Sequence, residues 1–213
     1  MTREIKNMKI SIFGATGRVG QEILNHALND GHDVTILVRN KEKIAHTHKH
    51  LNIIEGNALN KRDVEEAIQG NEVVISALGT DGSTTLTDVM PMIIEEMEQE
   101  GIRRIITIGT AGILQSKTES NLLRYQSNES KRKTTRAAAE HHKVYELLNQ
   151  SSLDWTIVCP TYLPDGERIG KYRVEQNYLP DNAVKISVPD TADFAYAQIS
   201  SDEYIKARVG IAY

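Results

Sequence analysis

Three glycines near the beginning of the sequence are spaced as a phosphate-binding turn requires. Gly14, Gly17 and Gly20 follow the apolar run at 10–13 and open an amphipathic segment. A strand turning sharply into a helix favours glycine at the first position, a pyrophosphate leaves no room for a side chain at the second, and tight helix–strand packing suits the third. Free N–H groups and the positive end of the helix then hold the anion. The pattern predicts a dinucleotide site, against the alternative of a tight turn that serves only the fold.

The residue at the end of the second apolar run indicates which dinucleotide is bound. A site for NAD usually has Asp or Glu about 20 residues beyond the glycines, where the acid holds the ribose 2′-hydroxyl. This sequence has Arg39 there, followed by Lys43. A guanidinium can bind a 2′-phosphate through paired charge-assisted hydrogen bonds, and Lys43 would add positive charge one turn later. The sequence therefore favours NADP(H), although both side chains also suit a solvated loop.

Short apolar runs alternate with amphipathic segments, and this alternation must position the residues above. β-branched residues dominate the apolar runs, which is typical of strands buried on both faces of a parallel sheet. The predicted strands lie at 10–13, 34–38, 53–54, 73–75, 105–108 and 155–158. The pattern predicts an α/β fold, with a Rossmann-like, doubly wound, mainly parallel sheet and helices on both faces.

Apolar residues at three- and four-residue spacing predict the helices between these strands. The first helix should end at Gly31, where a left-handed turn is expected. A second helix is predicted at 86–101, and Pro91 means that it either begins near that residue or is kinked there. Further helices are predicted at 131–152 and at 190–199, the latter with an aspartate as its first residue.

Two stretches depart from this pattern. Residues 115–130 are polar and without apolar periodicity, which predicts a surface loop, with a lid over the site as one role for it. Residues 161–182 contain two prolines and two glycines and are predicted to form a small irregular region beside the substrate. Since the sequence has no repeat, linker or low-complexity tract, residues 1–213 are interpreted as one domain.

Composition limits the classes of partner. The 213 residues carry a formal charge of −4, so electrostatics favours neither nucleic acid nor an anionic membrane. No apolar run approaches the roughly 20 residues that cross a bilayer. The single cysteine, Cys159, excludes an internal disulfide framework, and we expect it to be buried and structural in a cytoplasmic protein. His46, His48 and His50 alternate, but without a cysteine or carboxylate cluster beside them we expect no metal site.

Further short motifs extend the glycine pattern along nearly the whole chain. They are the stretches at 12–17, 35–39, 56–58, 78–80, 109–111, 159–161, 170–172 and 201–204. With them the chain resembles the atypical short-chain dehydrogenases that have an NAD(P)H-binding domain, a family that includes NmrA-like proteins. The later motifs are most similar to its flavin reductase, or biliverdin-IXβ reductase, branch.

The resemblance implies a role for each motif. Beyond the glycines and Arg39 with Lys43, the residues implied in binding the cofactor are Thr16, Arg18, Val19, Asn57, Ala58, Leu78, Gly79, Thr80 and Pro160. Of these, 57–58 would lie beside the adenine, 78–80 beside the ribose and pyrophosphate, and Pro160 beside the nicotinamide. The residues implied at the reaction centre are Thr110, His141 and Lys143, and those on the substrate side are Thr161, Tyr162 and Tyr172.

One feature of typical short-chain dehydrogenases is absent. They use a Tyr-x-x-x-Lys pair, in which the tyrosine donates a proton and the lysine lowers its pKa. Four residues after Tyr125 comes Glu129, and four residues after Tyr145 comes Asn149. The carbonyl–alcohol chemistry that the pair serves is therefore not expected, unless another acid replaces it.

The resemblance and the missing pair together favour an NADPH-dependent reductase of a planar conjugated acceptor such as a flavin or a quinone. Hydride transfer to an electron-poor ring needs orientation and a dry, stacked pocket more than a strong protein acid. A non-catalytic, NADP(H)-sensing regulator of the NmrA-like type stays open as an alternative, and so does a sugar-nucleotide epimerase or dehydratase. We expect a small-molecule acceptor as the partner, and a monomer or weak homodimer.

Overall fold

Six strands of the central sheet are those that the apolar runs predict. The computed structural model describes residues 7–44, 47–80, 82–130 and 132–213. Its strands are β1 (Lys9–Phe13), β2 (Asp33–Val38), β3 (Leu51–Glu55), β4 (Val73–Ser76), β5 (Arg104–Ile108), β6 (Asp154–Pro160), β7 (Arg173–Gln176) and β8 (Ala207–Ala212). Within these described residues they form one sheet in the order β3-β2-β1-β4-β5-β6-β8-β7. β7 is antiparallel to β8, and the other pairings are parallel.

The order of the strands creates a crevice at the carboxyl ends of β1 and β4. After β1 the chain adds β2 and β3 on one side and then places β4 on the other side of β1, so that Ile10 lies between Val34 and Val73. Ligands of open α/β sheets bind where the strand order reverses, outside the carboxyl ends of the strands. The glycine turn at 14–20 directly follows β1 and therefore lies at this crevice.

Five α-helices in the described part of the chain cover the two faces of the sheet. They are α1 (Arg18–Asn29), α2 (Lys61–Ile68), α3 (Thr85–Gln99), α4 (Arg136–Gln150) and α5 (Val188–Ala197). Helices α1 and α5 pack over Ile10 and Ile12, whereas α2, α3 and α4 lie on the opposite face, over Phe13. Alternate residues of β1 thus enter different cores, so both faces of the strand are buried. These layers confirm the predicted Rossmann-like, doubly wound fold.

Two strands of the sheet, β7 and β8, are not predicted from the sequence. β8 contains Arg208 and Gly210, and these two residues interrupt the apolar run that marks the other strands. β7 lies at the edge of the sheet, where Arg173 and Gln176 are exposed, so its residues look like those of a polar loop. The region at 161–182, predicted to be irregular, therefore contains one regular strand.

The starts of two helices also differ from the prediction. α3 begins next to the predicted residue 86, so that Pro91 lies inside the helix, whereas α4 begins later than residue 131. The prediction that Asp190 starts α5 is wrong by two residues, because Ser187 caps the helix by accepting the N–H of Asp190 at 3.2 Å. α1 does end before Gly31, whose φ is +82°. None of the described helices is long and apolar enough to cross a bilayer.

The polar stretch at 115–130 folds back on itself as a surface loop. Gln115 and Leu123 form an isolated antiparallel bridge. The Arg124 guanidinium lies 2.9 Å from the Glu129 carboxylate, and both side chains are mostly buried. These contacts lie within the loop, and Lys117 also ties it to Glu175 of β7 at 3.0 Å.

Candidate functional site

The three glycines of the turn serve different purposes. Gly14 has a φ of +79°, and a Cβ atom on it would lie 2.6 Å from the carbonyl carbon of Ala77, so only glycine fits between the ends of β1 and β4. A Cβ atom on Gly20 would collide with the carbonyl group of Gly14. On Gly17, a Cβ atom would have the Gly14 oxygen as its nearest neighbour, at 3.2 Å. The fold therefore requires Gly14 and Gly20, whereas Gly17 leaves free the space that a phosphate needs.

The start of α1 offers backbone donors to an anion. Gly17 is the N-cap residue, no side chain caps the helix, and its first turn contains no acid. The N–H groups of Arg18, Val19 and Gly20 have no acceptor one turn earlier, as at any helix start. Val19 is buried, so only its backbone can serve a ligand, whereas Thr16 is exposed. These residues fit a pyrophosphate, which the donors and the helix dipole would hold.

The side chain of Arg18 extends from this helix start towards the predicted substrate region. Its Nη1 atom lies 2.8 Å from the carboxylate of Asp165 and 3.2 Å from the carbonyl oxygen of Leu163. The two charged side chains are 57% and 83% exposed. Arg18 therefore contacts both the anion site and the segment that follows β6, a connection that the sequence pattern does not reveal.

Arg39 and Lys43 lie beside the crevice, just after β2. Both side chains are exposed, and neither makes an ion pair with another residue in the described part of the chain. Lys41, between them, is paired with Glu55 at 3.5 Å. The structure thus brings two unpaired positive charges to the end of the strand where the 2′-position of a bound dinucleotide is expected.

The predicted adenine side of the site is a tight turn after β3. Asn57 donates its N–H to Asp63 at 2.7 Å, and its side-chain oxygen accepts the N–H of Leu59 at 3.0 Å. Since the side-chain oxygen of Asn57 already accepts this hydrogen bond, its side-chain NH₂ group is the part that can donate a hydrogen bond to a ligand. Ala58 is partly buried against the core formed by α2, α3 and α4.

The chain that leaves β4 forms the next wall of the crevice. Leu78 is partly buried and packs against the same core. A Cβ atom on Gly79 would meet nothing within 4 Å, so the backbone there borders open space. Thr80 accepts the N–H of Ser83 through its carbonyl oxygen at 3.0 Å. This open backbone is compatible with the ribose and pyrophosphate contacts that the resemblance implies.

Thr110 follows β5 and caps a short 3₁₀ turn. Its hydroxyl accepts the N–H of Gly112 at 3.4 Å, a long hydrogen bond. A Cβ atom on Gly112 would lie within 4 Å of Thr110, Tyr125 and Ala138, so the turn packs closely against α4 and the loop at 115–130. Among the described residues, no acidic or basic side chain is hydrogen-bonded to the Thr110 hydroxyl.

His141 and Lys143 project from different sides of α4. Two residues along a helix are separated by about 200° around its axis. Burial lowers the pKa of His141 to about 4, and the nearby charge of Glu140 opposes this only in part. Lys143 is exposed, with its Nζ atom 3.4 Å from Glu140, which also accepts the Thr87 hydroxyl at 2.9 Å. The structure therefore does not bring the two predicted reaction-centre residues of α4 together.

A tyrosine–histidine pair lies beside the Thr110 turn and was not found from the sequence. The Tyr125 hydroxyl lies 2.9 Å from Nδ1 of His142, and Nε2 of His142 lies 3.8 Å from Glu146. The Tyr125 side chain reaches α4 from the loop at 115–130, so no fixed spacing along one helix marks the pair. The absence of a Tyr-x-x-x-Lys motif therefore does not mean that the region lacks a hydrogen-bonded phenol.

The predicted substrate side lies at the end of β6. Pro160 is buried, Thr161 is partly buried, and the Tyr162 side chain is 60% exposed. Tyr172 meets Phe194 edge-on, with ring centroids 6.0 Å apart. Burial and neighbouring carboxylates raise the pKa of Tyr172 to about 12, so its phenol stays neutral. Tyr162 is therefore free to stack on a ligand, whereas Tyr172 is mainly part of the packing.

The sequence matches known proteins over most of its length. Residues 14–202 match a family model described as NAD(P)H-binding. The uncharacterized protein YwnB of Bacillus subtilis is 28% identical over 206 residues, covering 92% of this chain and 93% of that protein.

Two solved structures share the whole architecture. A Bacteroides thetaiotaomicron protein, provisionally described as an epimerase, is 28% identical, with 98% of each chain covered and a TM-score of 0.83. A Streptococcus pneumoniae protein, provisionally described as an NADH-flavin reductase, is 24% identical, with 97% of this chain and 99% of that chain covered and a TM-score of 0.78. The second likeness shows the fold alone.

Proposed function

The chain belongs to the NAD(P)H-binding family whose model matches residues 14–202, and we propose that it is an atypical short-chain dehydrogenase that acts as an NADPH-dependent reductase of a planar conjugated acceptor such as a flavin or a quinone. Bound NADPH would supply a hydride, which an electron-poor conjugated ring can take up directly. The residues of the chain then have to hold the nicotinamide and the acceptor ring in the orientation that hydride transfer needs, and to exclude water from the site.

The observation that carries this proposal is that, within the described residues, none of the three predicted reaction-centre side chains is placed to act as a strong acid. With its pKa lowered to about 4, His141 is a neutral imidazole near neutral pH and holds no proton to donate as a cation. Lys143 lies on another side of α4, beside Glu140. Thr110 is engaged with the backbone of Gly112. Such a site suits an acceptor whose final proton can come from solvent.

The preference for NADPH rests on Arg39 and Lys43. A 2′-phosphate would gain charge-assisted hydrogen bonds from the two exposed cations. The position at which an NAD site usually has its acid is occupied by Arg39. The pyrophosphate would be held by the N–H groups at the start of α1, where Gly17 leaves space for it.

The exposed ring of Tyr162 supports a flat acceptor. Aromatic rings stack well on conjugated ligands, and Tyr162 lies two residues beyond Pro160, at the end of the strand that is expected to border the nicotinamide. The description of the Streptococcus pneumoniae protein, which names flavin, is in line with this choice. The provisional epimerase description of the Bacteroides protein favours another reaction, which would have to proceed without a Tyr-x-x-x-Lys pair.

A cytoplasmic location is part of the proposal. Cys159 is the single cysteine of the sequence, and it is fully buried. Burial raises the pKa of its thiol to about 12, as suits a buried residue that does no thiolate chemistry. A chain with one free cysteine needs no oxidising compartment to form a disulfide, and microscopy of a fluorescently tagged chain in cells tests the location.

Anaerobic spectroscopy with the purified protein tests the proposed reaction. NADPH absorbance is followed with FMN, FAD and a series of quinones, and NADH serves as the comparison cofactor. We expect NADPH to be consumed with at least one of these acceptors, and NADH to be used less well. Tight NADPH binding without reduction of any acceptor would favour the NADP(H)-sensing regulator instead.

A further inference from the structure

Asp190 is fully buried and binds a distant part of the chain. Its carboxylate accepts the N–H groups of Ile169 and Gly170 at 2.9 and 2.8 Å and the hydroxyl of Tyr213 at 2.6 Å. Burial would raise the pKa of this carboxyl, but the hydrogen bonds from Tyr213, Ile169 and Gly170 outweigh it, and the pKa lies below its ordinary value. Asp190 is therefore an ionised, fully engaged acceptor inside the protein.

Helix capping does not account for these contacts. In a capping box, the acid at the third helical position accepts the N–H of the N-cap residue. Here the N-cap residue is Ser187, and its N–H donates to the Tyr213 hydroxyl at 3.1 Å. Because the Tyr213 hydroxyl accepts the N–H of Ser187, the carboxylate of Asp190 can accept the backbone N–H groups of Ile169 and Gly170 instead.

These two residues belong to the segment at 162–172, called here the acceptor segment. Its first half runs beside the chain that leads into α5, since Tyr162 accepts the N–H of Ile186 at 3.0 Å and Pro164 accepts the N–H of Val188 at 3.3 Å. Its second half is held through the turn at Ile169 and Gly170, where Asp190 binds both N–H groups. The acceptor segment thus packs along the start of α5 and the chain that leads into it.

The acceptor segment presents apolar side chains to solvent. Tyr162 and Ile169 are 60% and 58% exposed, although the apolar residues around them are mostly buried. Gly170, which follows Ile169, has a φ of +72°, so the turn takes a shape that other residues rarely adopt. An ionised acceptor beneath this turn holds it in place, and the position of the Ile169 side chain depends on that turn.

We propose that Asp190 is the positioning residue of the acceptor site, because it fixes the turn at Ile169 and Gly170 and with it the second half of the acceptor segment. The identity of the acceptor rests on the proposed function above, whereas the effect of Asp190 on the segment does not. The carboxylate touches neither acceptor nor cofactor and acts through the backbone of Ile169 and Gly170.

Asp190→Asn tests this role, since an amide keeps the size of the side chain but offers only one acceptor oxygen. Asp202→Asn is the control for the loss of a carboxylate, because Asp202 is exposed and lies outside both α5 and the acceptor segment. Hydrogen exchange is measured at the amides of Ile169 and Gly170, together with the Kd for NADPH and the KM and kcat with FMN. For Asp190→Asn we expect faster exchange at both amides and a KM that rises about tenfold.

The control should change none of these quantities by more than about twofold. For Asp190→Asn, kcat and the Kd for NADPH should also stay within about twofold, since the cofactor site is formed by other elements. Protected amides, or an unchanged KM in a folded variant, would overturn the proposal. An equal weakening of NADPH and FMN would also overturn it, because it would indicate a purely structural role.

Tyr213→Phe covers the case in which Asp190→Asn does not fold. It removes one donor to the carboxylate and leaves the charge in place, so a smaller change of the same kind, about threefold in KM, is expected. If the wild-type protein reduces no acceptor, the proposed function has failed. The positioning role is then tested by amide exchange and by FMN binding, measured through quenching of flavin fluorescence. Unchanged FMN binding by folded Asp190→Asn or Tyr213→Phe would contradict it.

Discussion

The Arg18 guanidinium lies 2.8 Å from the Asp165 carboxylate, and this ion pair joins the start of the cofactor helix to the acceptor segment. Both side chains are more than half exposed, so the pair itself contributes at most about 1 kcal/mol to stability. A pyrophosphate at the start of α1 would compete with Asp165 for the same guanidinium. The two binding regions are therefore linked by one exchangeable contact.

Asp165→Ala should tighten NADPH binding by about two- to fivefold, because Arg18 would no longer have to leave a protein carboxylate. Titration calorimetry measures the Kd, and the melting temperature should hardly change. Glu167→Ala is the control, since Glu167 is exposed in the same segment. Unchanged or weaker NADPH binding in Asp165→Ala would show that Arg18 does not reach the anion.

Arg39→Ala should weaken NADPH binding by about 1.5–3 kcal/mol, the range for hydrogen bonds to charged groups, and should affect NADH little. The comparison of the two cofactors isolates the 2′-phosphate, the group by which they differ. Lys41→Ala is the matched control, since Lys41 is already paired with Glu55. Equal losses for NADPH and NADH would mean that Arg39 does not recognise the 2′-phosphate.

Gly17→Val should abolish dinucleotide binding and leave the protein folded. Gly17 has a φ of −80°, which valine can adopt, and the added side chain would occupy the space left for the pyrophosphate. Gly20→Ala should instead destabilise the protein, because its Cβ atom would collide with the Gly14 carbonyl group. Circular dichroism and calorimetry distinguish the two outcomes. Normal NADPH binding by folded Gly17→Val would refute the phosphate site.

Thr110→Ala should slow reduction of FMN about tenfold, or about 1.4 kcal/mol of barrier, with nearly unchanged NADPH binding. A threonine hydroxyl that accepts only a backbone N–H is suited to orienting a ligand and is a poor acid near neutral pH. Single-turnover kinetics are needed so that slow product release cannot mask the step. Complete loss of reduction would instead favour a proton relay, with Tyr125 and His142 as the first residues to test.

Stability should fall as the pH is lowered from about 6.5 towards about 4. Burial lowers the pKa of His141 to about 4 from an ordinary value of 6.5 and also lowers the pKa of His32. Between the folded and unfolded values the unfolded chain binds more protons, so acid favours unfolding. Urea denaturation over this range measures the slope.

His141→Gln should reduce that slope, and His32→Gln should reduce it independently, because each variant removes one group that must stay neutral in the folded protein. Above about pH 8 neither histidine binds an appreciable fraction of a proton in either state, so the pH dependence of the variants should match that of the wild type there. A slope that His141→Gln leaves unchanged would show that this imidazole is not held neutral by burial.

The sequence by itself determined the general fold and the turn at which the cofactor site is proposed. Strands such as β1 and β2 are largely buried on both faces, and their mostly apolar, β-branched runs mark them without any knowledge of their neighbours. The glycine turn is equally local, since a sharp turn, a close approach and tight helix packing each act within residues 14–20. Arg39 could be found because its distance from the glycines follows from the length of one strand–helix–strand unit.

Only the tertiary structure decided how the acceptor side is arranged. β8 is a strand because it lies between β6 and β7, although Arg208 and Gly210 interrupt its apolar pattern. The contacts of Asp190 with Ile169 and Gly170, and of Tyr125 with His142, join residues 17 to 21 positions apart in different elements. Such contacts depend on how helices and loops pack against the sheet, and a hydrogen bond between side chains of distant elements leaves no periodic signal in the sequence.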